Sequence, residues 1–165
     1  MKRFECLQAI APLIDKELFV TTAGGATAEW NALRPSDGNI QVKTLGLCSS
    51  IGLGLAIALP QRKVFIFDGD GALWMNLGSL ATIGLHQPKN LIHICWDNQQ
   101  YESSGGEPTV ATAGKIDFAG VARNAGIQGV PSFALQGHVL FSGALPAEQM
   151  ASAFRQAHDI LPTDF

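Results

Sequence analysis

Charged residues are scarce in this chain: 15% of its 165 residues are Asp, Glu, Lys or Arg, against 47% hydrophobic ones. That balance excludes a self-repelling disordered chain and provides apolar material for one sizeable core, so a single domain is expected over residues 1–165. Lys and Arg nowhere cluster and the formal net charge is −3, which argues against nucleic acid or an anionic membrane surface as partner. Cysteine is sparse too. Cys6, Cys48 and Cys95 are odd in number, far apart and without CxxC spacing, so neither a disulfide framework nor a zinc site is expected, and a reducing, cytoplasmic setting fits. The longest apolar run, residues 51–59, falls well short of the roughly 18 residues of a membrane-spanning helix. Glu5 interrupts any apolar leader behind Lys2 and Arg3. Glycine, by contrast, is plentiful. Eighteen glycines and a mean hydropathy of +0.17 point to tight strand-to-helix turns and to apolar surface kept for a partner.

Periodicity and punctuation set the order of elements. Phe4, Leu7, Ala11 and Ile14 recur at helical spacing, predicting a helix over residues 3–17 with a kink at Pro12. A short strand over 18–22 follows, then the glycine-bearing turn "TAGGAT" and a helix over 28–33 that Pro35 stops. "IQVKT" predicts another strand. Ser49 or Ser50 is the expected cap of a helix through "IGLGLAIAL", buried nearly all round and ended by Pro60. "VFIFDG" and "LIHICWDN" are apolar runs without strict alternation, as in strands covered on both faces. The helix between them is expected to start after Asn76 and to end before Pro88. Strand, helix and strand in succession make a βαβ unit, hence an open parallel sheet. Residues 99–116 read as an ordered functional loop or lid. Asp117 is the expected cap of "FAGVARNAG" with Gly126 at its end, and Pro146 opens a last helix reaching about residue 158.

Two motifs fall at strand ends. Ligands of an open parallel sheet bind beyond the carboxyl ends of its strands, which puts Gly69-Asp70-Gly71 and Asp97-Asn98 in one site. The glycines are expected to allow a tight turn whose N–H groups, with those of Ala72 and Leu73, face an anion such as a diphosphate. Asp70 offers a carboxylate oxygen and Asn98 an amide oxygen. So hard and sparse a donor set suits Mg2+, which takes its remaining ligands from water and phosphates. GDG alone is a weak signal, since such turns are commonly structural. What adds specificity is the helix and strand between Gly71 and Asn98, which bring the two ends together.

This spacing resembles the diphosphate motif of thiamine-diphosphate enzymes. The stretches "LGLCSSIGLGLAIALPQRKVFIFDGDGALWMNLGSLATIG" and "PKNLIHICWDNQQYESSGGEPTVA" are similar to phosphonopyruvate and sulfopyruvate decarboxylases, a resemblance that covers about residues 18–127. It implies the thiamine-diphosphate-binding fold, a three-layer α/β arrangement in which an open parallel sheet carries helices on both faces. It also implies Mg2+ held by Asp70, Asn98 and the backbone carbonyl of Gln100, and cofactor contacts from Leu45, Gly46, Gly69, Asp70, Gly71, Ala72, Asn98, Gln100 and Tyr101. Leu45 matches an apolar wedge that bends the cofactor; core packing is its other reading. The implied reaction is decarboxylation of a 2-oxo acid, the cofactor carrying the difficult chemistry. That reaction needs a carboxylic acid beside the cofactor's pyrimidine ring, normally from a separate pyrimidine-binding domain. No second domain of that kind fits within 165 residues, so the activating Glu is expected on a partner subunit of a hetero-oligomer, and no catalytic residue is assigned in this chain. Tyr101, Glu102, Ser103 and Glu107 are candidates to contact substrate or close the site.

The chain also departs from that family. Lys43-Thr44-Leu45-Gly46 stands where those decarboxylases tend to show "GSMG", and "GGEPT" replaces "GGQPT". Gly25 and Ala28 stand where relatives often place Lys and Arg, which weakens the case for a phosphonate or sulfonate substrate. After Gly126 the similarity fades, and the expected final apolar strand is not seen before Phe165. Three other readings remain open. "VFIFDGDG" superficially matches an aspartate-nucleophile phosphotransferase with Asp68 attacking phosphorus, although Ala72 replaces the expected hydroxyl residue and no later acidic pair follows. A carboligase of the acetolactate-synthase kind would share the same cofactor anchor, and a non-catalytic cofactor-binding subunit would keep it too. His86 and His93 read as packed or satisfied histidines, and His138 and His158 have no partner legible in sequence.

Overall fold

The structure, a computed structural model, describes residues 3–110 and 116–127, together with 134–135, 138–139 and 152. Four short strands form one parallel sheet: β1 (Leu18–Thr22), β2 (Asn39–Val42), β3 (Val64–Gly69) and β4 (Leu91–Trp96), in the order β2-β1-β3-β4. Phe19 stands opposite Asn39 on one side and Phe65 on the other, and Asp68 opposite Cys95. Two short antiparallel hairpins lie outside this sheet, β5 (Gln100–Tyr101) with β6 (Glu107–Pro108), and β7 (Ala134–Leu135) with β8 (His138–Val139). The helices are α1 (Arg3–Ile10), α2 (Gly25–Leu33), α3 (Cys48–Ala58), α4 (Asp70–Met75), α5 (Ser79–His86) and α6 (Phe118–Asn124).

The central strands β1 and β3 are buried almost throughout because each of their faces meets a helix layer. Phe19, Phe65, Phe67, Ile92 and Ile94 pack with Leu7 and Ile10 of α1 and Trp30 of α2. Leu18, Val20, Val64 and Ile66 point the other way, onto Cys48 and Ala56 of α3. Gly52 of α3 has no room for a side chain, since a Cβ there would run into Ile66. A third cluster joins Leu53 of α3, Leu73 of α4, Leu80 and Ile83 of α5 and Ala122 of α6. The three layers expected from sequence are present.

Several boundaries differ from the sequence expectation. The first helix stops at Ile10 and tightens into a 3-10 turn over Ala11–Leu13, because Pro12 cannot donate a hydrogen bond. Helix α2 starts at Gly25 rather than at residue 28. Helix α3 is capped by neither serine: Leu47 is its N-cap residue, and Ser49 lies inside the first turn and accepts a hydrogen bond from Ser79 Oγ at 2.7 Å. Nor is α3 buried all round, for Ile51 and Ile57 are exposed.

The helix after β3 is also two helices. Helix α4 begins at once with Asp70 and ends at Asn76, whose side-chain amide donates to Gly46 O at 2.8 Å and to Ser50 Oγ at 3.2 Å. Asn76 therefore closes a helix instead of opening one, and α5 restarts at Ser79. Asp117 does cap α6, accepting from Gly120 N–H at 2.9 Å, and Gly126 follows that helix at φ +83°. Of the last helix expected from Pro146 only residue 152 is described, in helical conformation, and His158 falls outside the described residues. No described helix is long and apolar enough to cross a membrane.

Candidate functional site

Adjacent strands β1 and β3 lead into connections that run to opposite sides of the sheet, which opens a crevice at their carboxyl ends. The cleft found there is lined by Thr22 at the end of β1, by Gly24 and Gly25 of the turn into α2, by Leu45, by Gly69 to Ala72 and by Trp96. Asn98, Gln100, Tyr101, Glu102 and Ser103 complete its other wall. The motifs after β3 and β4 are therefore brought together. Of the cofactor contacts expected from the resemblance, Gly46 alone is not among the cleft's lining, and Glu107, a candidate to contact substrate, is not either. The Gly46 φ of +86° turns the backbone behind Leu45, where a Cβ would meet Met75 and Asn76 at 3.3 Å.

Gly69 and Gly71 do not make the tight turn expected. Neither has a positive φ; Gly69 is the extended N-cap of α4 and Gly71 lies inside its first turn. Gly71 is small for another reason, because the ring of Tyr101 packs where its side chain would be. Asp70 is 1% exposed, and its Oδ2 accepts a hydrogen bond from Thr109 Oγ1 at 2.5 Å. Asn98 Oδ1 accepts from Gln100 N–H at 3.1 Å, folding residues 98–100 into a turn in which Gln99 takes a left-handed φ of +64°. Strained backbone of this kind gathers at functional sites. Burial, and then the negative charge of Asp70, pushes the Asp97 carboxyl above its usual range. Asp70 and Asp97 thus stand near enough for their charges to repel, which a cation held beside them would offset.

Arg3 was not foreseen. Its guanidinium reaches from α1 to the cleft, binds Glu29 of α2 through Nε at 2.8 Å and Nη2 at 3.0 Å, and binds Glu102 through Nη1 at 3.0 Å. These carboxylates hold its pKa above the usual guanidinium value, the Glu29 hydrogen bond contributing most. Gly25 makes the room, since a Cβ there would stand 3.4 Å from Arg3 Cζ and closer to Nη2. A single early arginine carries no sequence signal for this contact, which exists only once α1 packs on α2. Asp68 is fully buried beneath the cleft. Its Oδ1 accepts from Gly69 N–H at 3.0 Å and its Oδ2 faces His93 Nε2 at 3.6 Å. It lines no part of the cleft, so a phosphoryl group could not reach it as a nucleophile. His86 is exposed at the end of α5, and the side chain of His138 lies outside what the structure describes.

Residues 30–159 match the family model for thiamine pyrophosphate enzymes, C-terminal TPP binding domain. The chain belongs to the thiamine pyrophosphate enzyme family. It is 35% identical over 127 residues to sulfopyruvate decarboxylase subunit beta of Methanothermobacter thermautotrophicus, covering 76% of this chain and 67% of that one. It is 39% identical over 112 residues to phosphonopyruvate decarboxylase of Streptomyces viridochromogenes, covering 67% of this chain but 28% of that one. This chain therefore spans under a third of the latter's length. Among solved structures, benzoylformate decarboxylase from Polynucleobacter necessarius aligns with a TM-score of 0.65 at 13% identity, over 96% of this chain and 31% of that one, a likeness of fold.

The cleft fits the thiamine pyrophosphate of this family. Gly69, part of its lining, leaves open space where a side chain would stand, since no protein atom lies within 4 Å of a Cβ built there. Trp96 Nε1, on its wall, is buried without a hydrogen-bond partner. The donors available to a metal are a carboxylate at Asp70, an amide oxygen at Asn98 and the backbone carbonyl of Gln100, all hard oxygens. Among the described residues no group of three or more His, Cys, Asp or Glu could hold a metal. A cation here would need further oxygens, as a bound diphosphate provides.

Proposed function

We propose that this chain is the thiamine-diphosphate- and Mg2+-binding subunit of a 2-oxo acid decarboxylase, a carboxy-lyase completed by a separate pyrimidine-binding subunit in a cytoplasmic hetero-oligomer. The observation that carries this reading is the convergence of Asp70, Asn98 and Gln100 on one cleft at the carboxyl edge of the sheet. Bound there, the cofactor supplies the nucleophile and electron sink for loss of carbon dioxide. Asp70, Asn98 and the Gln100 carbonyl hold the Mg2+, and the N–H groups at the start of α4, from Asp70 to Ala72, receive phosphate oxygens. Leu45 presents an apolar surface to the cofactor, and Tyr101, packed on Gly71, keeps water from that side of the cleft.

The acids of the described residues support a partner. Of the carboxylic acids lining the cleft, Asp70 serves the cation and Glu102 is engaged by Arg3, as is Glu29 nearby. Each of these described acids already has a charged or hydrogen-bonding partner, which favours a pyrimidine-side acid from another subunit. Glu107, exposed on β6, does not line the cleft. The names of the subunit-beta relatives agree with a split enzyme. The test is carbon dioxide release from pyruvate, phosphonopyruvate and sulfopyruvate with saturating thiamine diphosphate and Mg2+. The purified chain alone should release none, and addition of the pyrimidine-binding subunit should restore turnover; carboligation products in place of an aldehyde would assign the carboligase chemistry instead. Robust release by the chain alone would overturn the split-site reading.

A further inference from the structure

The hairpin of β5 and β6 carries Gln100 and Tyr101, and the residue that ends it makes contacts the proposed reaction does not use. Thr109 follows β6 directly and is fully buried, 0% exposed. Its hydroxyl donates to Asp70 Oδ2 at 2.5 Å, and its backbone N–H donates to Gln99 O at 3.2 Å. One residue therefore grips both halves of the proposed cation site, the carboxylate on α4 through its side chain and the strained turn before Gln100 through its backbone. Gln99 sits at φ +64°, a conformation a residue with a side chain keeps only when its surroundings hold it.

We propose that Thr109 is the positioning residue of the cation site, a role that rests on the reading of Asp70, Asn98 and Gln100 as metal donors. A hydroxyl that donates to one carboxylate oxygen fixes the orientation of the Asp70 carboxylate, and a buried donor does so without competition from water. The same residue anchors the hairpin that bears Gln100. Orientation of the carboxylate and placement of the backbone carbonyl are thus set together, by a residue that never touches the metal. Valine has threonine's shape without its hydroxyl, while serine keeps the hydroxyl and drops the methyl, so the two variants separate hydrogen bonding from packing.

The experiment titrates Mg2+ into the full chain at saturating thiamine diphosphate and reads the cofactor-dependent rise in melting temperature. In Thr109→Val the Mg2+ midpoint should move up by about 10–100-fold, the usual effect of losing a group that orients a metal ligand. Thr109→Ser should stay within roughly threefold of wild type, well inside that range. If Thr109→Val does not fold, Thr109→Ala carries the same expectation against the same serine control. A Thr109→Val chain whose melting temperature without ligands falls but whose Mg2+ midpoint stays put would make Thr109 a packing residue and overturn the proposal while leaving the proposed function standing. No Mg2+- and cofactor-dependent rise in the wild type, even with the pyrimidine-binding subunit added, would instead defeat the cofactor reading itself, and this role with it.

Discussion

The ring of Tyr101 occupies the space a side chain at Gly71 would need: a Cβ there would lie 2.8 Å from Cδ1 and 2.9 Å from Cζ of the ring. Glycine in the first turn of α4 is therefore a packing requirement of the hairpin on the far wall of the cleft. Gly71→Ala should push Tyr101 out, costing about 1–3 kcal/mol as overpacking does. Chemical denaturation measures this. Because the two residues touch, Tyr101→Ala should absorb much of that cost, and strictly additive effects in the double variant would contradict the contact.

Arg3 ties α1, α2 and the hairpin together through Glu29 and Glu102. The Glu102 arm is exposed and salt-screened but the two-bonded Glu29 pair is part-buried, so Arg3→Ala should cost about 1–3 kcal/mol globally, most of it from the Glu29 pair. The local effect should be larger. Hydrogen exchange of the amides of residues 101–106 should quicken in the variant, and unchanged exchange would mean the hairpin is held by Tyr101 and Thr109 alone.

The sheet was legible because its strands announce themselves. "LFVTT" and the "VFIF" that opens "VFIFDG" are uninterrupted apolar or β-branched runs, and both strands occupy the positions expected. The site was legible as an address, since the residues after β3 and β4 meet wherever parallel neighbours end side by side. The local conformations were not. Gly71 reads as a turn former, and its true reason, the ring of Tyr101, is a contact made across the cleft. Asn76 reads as an N-cap because asparagine can serve either end of a helix, whereas its backbone N–H donates to Leu73 O and closes α4 while its side-chain amide reaches Gly46 and Ser50. Arg3 and Thr109 act at the site through tertiary contacts that no spacing encodes.

Burial, followed by the charge of Asp68, pushes the Cys48 thiol from 9.0 up to about 12. A raised pKa means that the folded state holds the proton more tightly, so this contribution to stability is whole below pH 9.0 and is lost as pH rises towards 12. Urea midpoints measured across that range should fall more steeply in wild type than in Cys48→Ala. Parallel curves would contradict the shift. The native thiol should also resist alkylation at mildly alkaline pH, where an ordinary cysteine reacts.

Leu45 lines the cleft but is only half-buried. As a surface that shapes the cofactor, its loss in Leu45→Ala should lower kcat of the assembled enzyme by about tenfold or more while changing cofactor affinity by less. Titrations of activity against thiamine diphosphate separate the two. Equal losses would return Leu45 to ordinary packing.

The central claim is that the cleft binds thiamine diphosphate through a cation held by Asp70. Calorimetric titration of thiamine diphosphate into the chain, with and without Mg2+ and with the pyrimidine-binding subunit added in parallel, tests it most directly. The account predicts saturable binding that requires Mg2+, that disappears in Asp70→Asn, and that survives Asp68→Asn in any preparation that folds. Binding that ignores Mg2+ and Asp70, or its absence even with the partner subunit present, would contradict it.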